Sequence, residues 1–72
     1  MNSEDLEFLR EIMERHGLRA AASPPGELIF EKAGVRVRAC DSGEAFDVEQ
    51  GATKYVSPSL VELEAYLSKH KV

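Results

Sequence analysis

A single cysteine, Cys40, rules out an internal disulfide, and with His16 and His70 lying far from it no Cys/His group has the spacing of a zinc site. Stability must therefore come from packing alone, which suits a reducing compartment. No apolar run approaches the length needed to span a bilayer, and the opening Met1-Asn2-Ser3-Glu4-Asp5 is polar and acidic rather than basic and then apolar. A cytoplasmic protein with no membrane partner is expected. Glycine is scarce, and Gly43 and Gly51 stand singly, so no glycine-rich phosphate cradle is present. With only five glycines and three prolines, 43% hydrophobic and 31% charged residues, the composition is that of a globular chain rather than a disordered one. Seventy-two residues make one domain, residues 1–72, with no room for a second core or a deep substrate cleft.

Basic charge is also short. Thirteen acidic against nine basic side chains leave a net charge of −4, which disfavours long-range attraction to phosphate backbones. The two signs are interleaved, so no dense acidic run imitates a nucleic acid, and most of these charges read as a solvated surface.

What the chain does have is alternation. Residues Val35-Arg36-Val37-Arg38-Ala39-Cys40 and Ala45-Phe46-Asp47-Val48-Glu49 flank Asp41-Ser42-Gly43-Glu44 in phase, which predicts a hairpin. Pairing Cys40 with Ala45 sets Ala39 against Phe46 and Val37 against Val48 on one side, and Arg38 against Asp47 and Arg36 against Glu49 on the other. A slip of one residue loses the match. Glu27-Leu28-Ile29-Phe30-Glu31-Lys32 reads as a further strand. A tight turn at Ala33-Gly34 sets Phe30 opposite Val37 and Glu31 opposite Arg36. The outward face of this meander then carries Ile29, Glu31, Arg36, Arg38, Cys40, Asp47 and Glu49.

Helices are expected at both ends. Leu6, Leu9, Ile12 and Met13 share one face of a helix over about residues 4–16, with Ser3 as N-cap, Glu4 and Asp5 in the first turn, and His16-Gly17-Leu18 as its exit. Ser57-Pro58 reads as the N-cap and first residue of a second helix, with Val56 and Val61 as a hydrophobic staple and Leu60, Leu63, Tyr66 and Leu67 as its stripe. Between these elements, residues 19–26 are read as a loop, with a short edge strand over residues 20–22 as the alternative, and residues 53–56 as a short extended segment. The expected fold is α+β, a two-layer α-β-β-β-α with a three-stranded antiparallel meander and both helices on one face.

Candidate chemistry is sparse. His16 and His70 sit at helix ends, where a dipole-stabilised structural role is the simpler reading. Cys40 is the most reactive side chain by type and lies near Arg38, but Asp41 and Glu44 oppose its thiolate. Glu62 with Glu64, and Asp47 with Glu49, read as exposed positions, the latter two partnered by arginines. No catalytic, metal or cofactor site is expected, and the protein is read as no enzyme.

The element order resembles that of double-stranded-RNA-binding domains and of small RNA-cleaving toxins, in topology alone. The former carry a lysine-rich start to their second helix, whereas here it reads Ser57-Pro58-Ser59-Leu60-Val61-Glu62-Leu63-Glu64; the latter carry a strand histidine that residues 27–50 lack. The leading expectation is a non-enzymatic accessory or inhibitory domain of the size class that includes phage-encoded inhibitors of host systems. It would bind another protein through its exposed sheet face or edge strand, with Ile29, Glu31, Arg36, Arg38, Asp47, Glu49, Lys54 and Tyr55 as contacts. The alternative is nucleic-acid binding through Lys32, Arg36, Arg38 and Lys54. Strand addition across a two-fold axis makes a homodimer a further expectation.

Overall fold

Val35, Val37 and Ala39 are buried and the Arg36, Arg38 and Cys40 that alternate with them face outward, in a computed structural model that describes residues 1–40 and 45–72. The chain runs α1 (Ser3–Arg15), β1 (Arg19–Ala21), β2 (Glu27–Lys32), β3 (Val35–Cys40), β4 (Phe46–Gln50), β5 (Thr53–Ser57) and α2 (Leu60–Lys69). The five strands form one antiparallel sheet in sequence order.

The predicted register holds across its centre: Ala39 faces Phe46, Val37 faces Val48, Arg38 faces Asp47, Arg36 faces Glu49, Phe30 faces Val37 and Glu31 faces Arg36. The turn placed over residues 41–44 lies outside the described residues. The three-stranded expectation is corrected at both edges. Arg19, Ala20 and Ala21 pair with Glu31, Phe30 and Ile29, and Thr53 to Ser57 pair with Gln50 to Phe46. Neither added strand carries an apolar alternation of its own; each is extended because its neighbour offers it a ladder, a non-local cause.

One core cluster joins Leu9, Ile12 and Met13 of α1 and Leu63 and Leu67 of α2 to Phe30, Val35, Val37, Ala39, Phe46 and Val48 of the sheet. Both helices therefore cover the same side. Their termini differ in detail from expectation. The N-cap of α1 is Asn2, whose side chain accepts from the Asp5 amide at 2.8 Å, rather than Ser3. The N-cap of α2 is Ser59, accepting from the Glu62 amide at 3.2 Å, rather than Ser57. Ser57 is the last residue of β5 and fully buried, and its hydroxyl donates to the Ser59 carbonyl at 2.7 Å. That bond, and Pro58, hold the chain extended for two more residues before the helix begins. The predicted staple goes with the shifted start, since Val56 and Val61 are 61% and 70% exposed. At the other ends the two exits are alike. Gly17 and Lys71 both take positive φ, and Leu18 and Val72 return their amides to Met13 and Leu67, closing Schellman motifs after His16 and His70.

Candidate protein-binding face

The side of the sheet away from the helices is built by pairing. Across all five strands one row reads Arg19, Glu31, Arg36, Glu49, Lys54, each residue opposite the next, so that charge alternates in sign from edge to edge. A second row reads Ala21, Ile29, Arg38, Asp47, Val56, and beyond it Glu27 faces Cys40. Seven residues of the expected contact set, Ile29, Glu31, Arg36, Arg38, Asp47, Glu49 and Lys54, thus share this face. Tyr55 does not. It points to the helix side, where its ring stacks on Tyr66 at 4.1 Å and 4° between planes, and Tyr66 in turn meets His70 at 4.2 Å.

Of the two carboxylates the sequence set against Arg36, it pairs with Glu31 and not Glu49, and Arg38 does not pair with Asp47 as expected. Arg36 Nη2 lies 3.3 Å from Glu31 Oε2 and Arg38 Nε lies 3.6 Å from Glu27 Oε1, so both lean from β3 toward β2. For Arg38 the reason is length. Glu27 sits diagonally across and meets the guanidinium with a side chain one methylene longer than that of Asp47, which stands directly opposite. Among the described residues no cation comes within 4.0 Å of Asp47 or Glu49. These half-exposed pairs contribute only about 0.2–1 kcal/mol each to stability. Their geometry lays both arginine side chains across β2 and β3.

The face is close to flat. A depression of about 180 Å³ at the β5 side is lined by Arg38, Asp47, Glu49, Lys54 and Val56 together with Val48 and Tyr55. A second, of about 280 Å³, lies by Glu31, Arg36 and Glu49 at the end of the face nearer Gly34 and Gly51. The two edges are unequal. β1 is three residues long and leads to Ser23, which donates to the Ala21 carbonyl and accepts from the Ile29 amide, both at 3.0 Å, before Pro24-Pro25 turns the chain. β5 is five residues long and carries Val56, one of the two large apolar side chains that are most exposed.

The chemically versatile side chains lie apart from one another, the two histidines at the helix exits and Cys40 at the end of the open face. His16 Nδ1 lies 3.0 Å from the Val72 main-chain oxygen, His70 is exposed beside Tyr66, and Cys40 is exposed opposite Glu27. Among the described residues no three His, Cys, Asp or Glu side chains gather where they could share a metal ion. No helix among the described residues is long and apolar enough to cross a membrane.

Sequence reasoning missed β5 as a strand, although a signal was available. A two-residue turn at Gly51-Ala52 sets Lys54 opposite Glu49, continuing the sign match already read between β2, β3 and β4. Comparison with protein-family models, with curated proteins and with solved structures gives no match for this chain.

Proposed function

We propose that the chain is a non-enzymatic binding domain that engages another protein through the open side of its sheet, as an accessory or inhibitory factor in the cytoplasm. The observation that supports this reading is the cross-strand row Arg19, Glu31, Arg36, Glu49, Lys54, which no helix among the described residues covers. Arg36 and Arg38, paired with Glu31 and Glu27 beside half-buried Ile29, offer the guanidinium and apolar contacts that anchor protein interfaces. Asp47 and Glu49, free of cations, favour a partner that brings lysine or arginine to β4.

The same interleaving argues against a nucleic acid. A duplex or single strand needs a continuous positive track, and here Glu31, Glu49 and Asp47 stand between the basic residues.

Affinity capture with the wild-type chain, with the Arg36→Glu/Arg38→Glu double variant and with Val61→Asp on the outside of α2 separates the readings. A partner held by the wild type and by Val61→Asp but lost by the double variant supports the sheet face. A partner retained by the double variant removes that face. A band shift of RNA or DNA at low salt that the double variant abolishes replaces the protein partner with a nucleic acid.

A further inference from the structure

The β5 edge is the longer of the two, and among the described residues no other strand pairs with it. The two-residue turn Gly51-Ala52 closes on the pair Gln50 and Thr53, with Gly51 at φ 60. Such a turn closes on a hydrogen-bonded pair, and the ladder alternates from there. Thr53, Tyr55 and Ser57 therefore direct their main-chain groups to β4, while Lys54 and Val56 direct theirs outward.

Only one antiparallel register lets this edge pair with a copy of itself over its whole length. Centring on Lys54 sets the two ammonium groups directly opposite each other, which is destabilising. Centring on Val56 brings Pro58, which has no amide to donate, against Lys54. Centring on Tyr55 sets Lys54 of each chain against Val56 of the other and Thr53 against Ser57, with all five residues paired. In that register the lysine stem lies over the exposed Val56 side chain, and its ammonium group extends toward Asp47, one strand further in and without a cation of its own.

The helix above the edge obeys the same axis. The flank of α2 on the β5 side presents Glu62, Ala65, Tyr66 and Lys69, which with Tyr55 and His70 line a groove of about 350 Å³. Glu62 and Lys69 are seven residues apart on one face of the helix, and their midpoint falls at Ala65 and Tyr66. Tyr66 is the residue whose ring stacks on Tyr55. An axis through Tyr55 therefore passes beside that midpoint. It sets Glu62 of one chain against Lys69 of the other, twice, with the small Ala65 side chains between the helices.

From this agreement between strand and helix we infer that the chain forms a two-fold homodimer through antiparallel pairing of β5 with β5 of a second copy, centred on Tyr55. The product is a ten-stranded sheet with four helices on one side. The edge is removed as an aggregation hazard, and the open faces of the two copies become continuous. The contact is small, at the low end of specific interfaces, so a monomer–dimer equilibrium in the micromolar range is expected rather than an obligate dimer. The inference stands apart from the open-face reading, because pairing at this edge leaves Arg36, Arg38 and Glu49 uncovered.

Sedimentation equilibrium of the wild-type chain under reducing conditions, from micromolar to submillimolar concentration, tests it. The mass should rise from the chain's 8.0 kDa toward twice that value and no further. Val56→Pro removes an outward amide without touching the β4 ladder and should weaken association at least tenfold while far-UV circular dichroism stays native. Lys69→Glu should also weaken it at least tenfold, and the swap Glu62→Lys/Lys69→Glu should restore it. A monomeric mass at every concentration overturns the inference and leaves β5 to a strand of another protein. Undiminished association of Val56→Pro, or a charge swap that restores nothing, overturns it equally.

Discussion

The Nδ1 atom of His16 lies 3.0 Å from the main-chain oxygen of Val72, so the exits of two helices separated in sequence by the whole sheet are joined side by side. The parity of the strands causes this. Each antiparallel step reverses the chain, and with five strands between them α1 and α2 run in the same direction. Their dipoles then add rather than cancel, and two negative helix ends meet at one end of the molecule. Arg15 and Lys69 lie in the last turns there, and Lys32 reaches in from β2 to donate to the His16 carbonyl at 2.9 Å.

Lys32 should therefore matter more than an ordinary exposed lysine. Lys32→Met keeps most of the stem but removes the charge from a carbonyl at a helix end, and should cost about 0.5–1 kcal/mol at low ionic strength. Urea denaturation at low and high salt checks this. The loss should shrink as salt screens the dipole, and an equal loss at both would point to packing of the stem instead.

Position on α2 decides the cost of losing an apolar group. Leu63 is fully buried against the sheet while Val61, two residues earlier, is 70% exposed. Leu63→Ala should cost about 2–5 kcal/mol, a large part of the total for a chain of this length. Val61→Ala should stay within about 0.5 kcal/mol. Thermal or denaturant unfolding of the pair, followed by circular dichroism, measures the contrast; comparable losses would place α2 in a different rotation about its axis.

The start of α2 is a sharper test because two serines compete for the role. Ser59 accepts from the Glu62 amide, whereas Ser57 is buried and donates to the Ser59 carbonyl. Ser59→Ala should cost about 1 kcal/mol, and Ser59→Asp, which can still accept at an N-cap, should be close to neutral. Ser57→Asp should be severely destabilising, since it buries a charge beside a carbonyl it cannot donate to. Were Ser57 the cap, its aspartate variant would be tolerated, and the denaturation midpoints would reverse.

These serines also mark where the sequence stopped being legible. Ser57-Pro58 carries a strong local helix-start signal, but Ser57 is drawn into β5 by pairing with Phe46, which lies outside any local window. The capping box Ser59-Leu60-Val61-Glu62 was present in the sequence all along and is the one the chain uses for its cap. The bounds of β2 and β3 and the register of all three central strands were readable to the residue, with β4 shifted by one from 45–49 to Phe46–Gln50, because Phe30, Val37, Val48 and their charged neighbours satisfy two constraints at once, burial and sign. β1 offered Ala20, Ala21 and Ala22, which alternate in nothing, and β5 offered one half-buried inward ring at Tyr55. On the open face the register and the Arg36–Glu31 pair followed from pattern, but the partner of Arg38 did not. Arg38 has carboxylates both opposite and diagonal to it, and side-chain reach rather than register selects Glu27.

Two positions of left-handed backbone should respond in opposite directions. Gly34, at φ 77 in the turn between β2 and β3, has nothing within 4 Å of where a side chain would begin, so Gly34→Ala meets no clash and isolates the conformational cost. That cost is about 1–2 kcal/mol. Lys71 takes φ 56 at the exit of α2, the position that Gly17 fills at the exit of α1. Lys71→Gly relieves the same strain but gives up a cation near a helix C-terminus and adds freedom to the unfolded chain, so a net gain of about 0.5 kcal/mol is expected. Raising the salt concentration weakens the lost cation's contribution and should enlarge the gain. A Lys71→Gly variant less stable than wild type under high salt would show that the lysine holds its turn by more than charge.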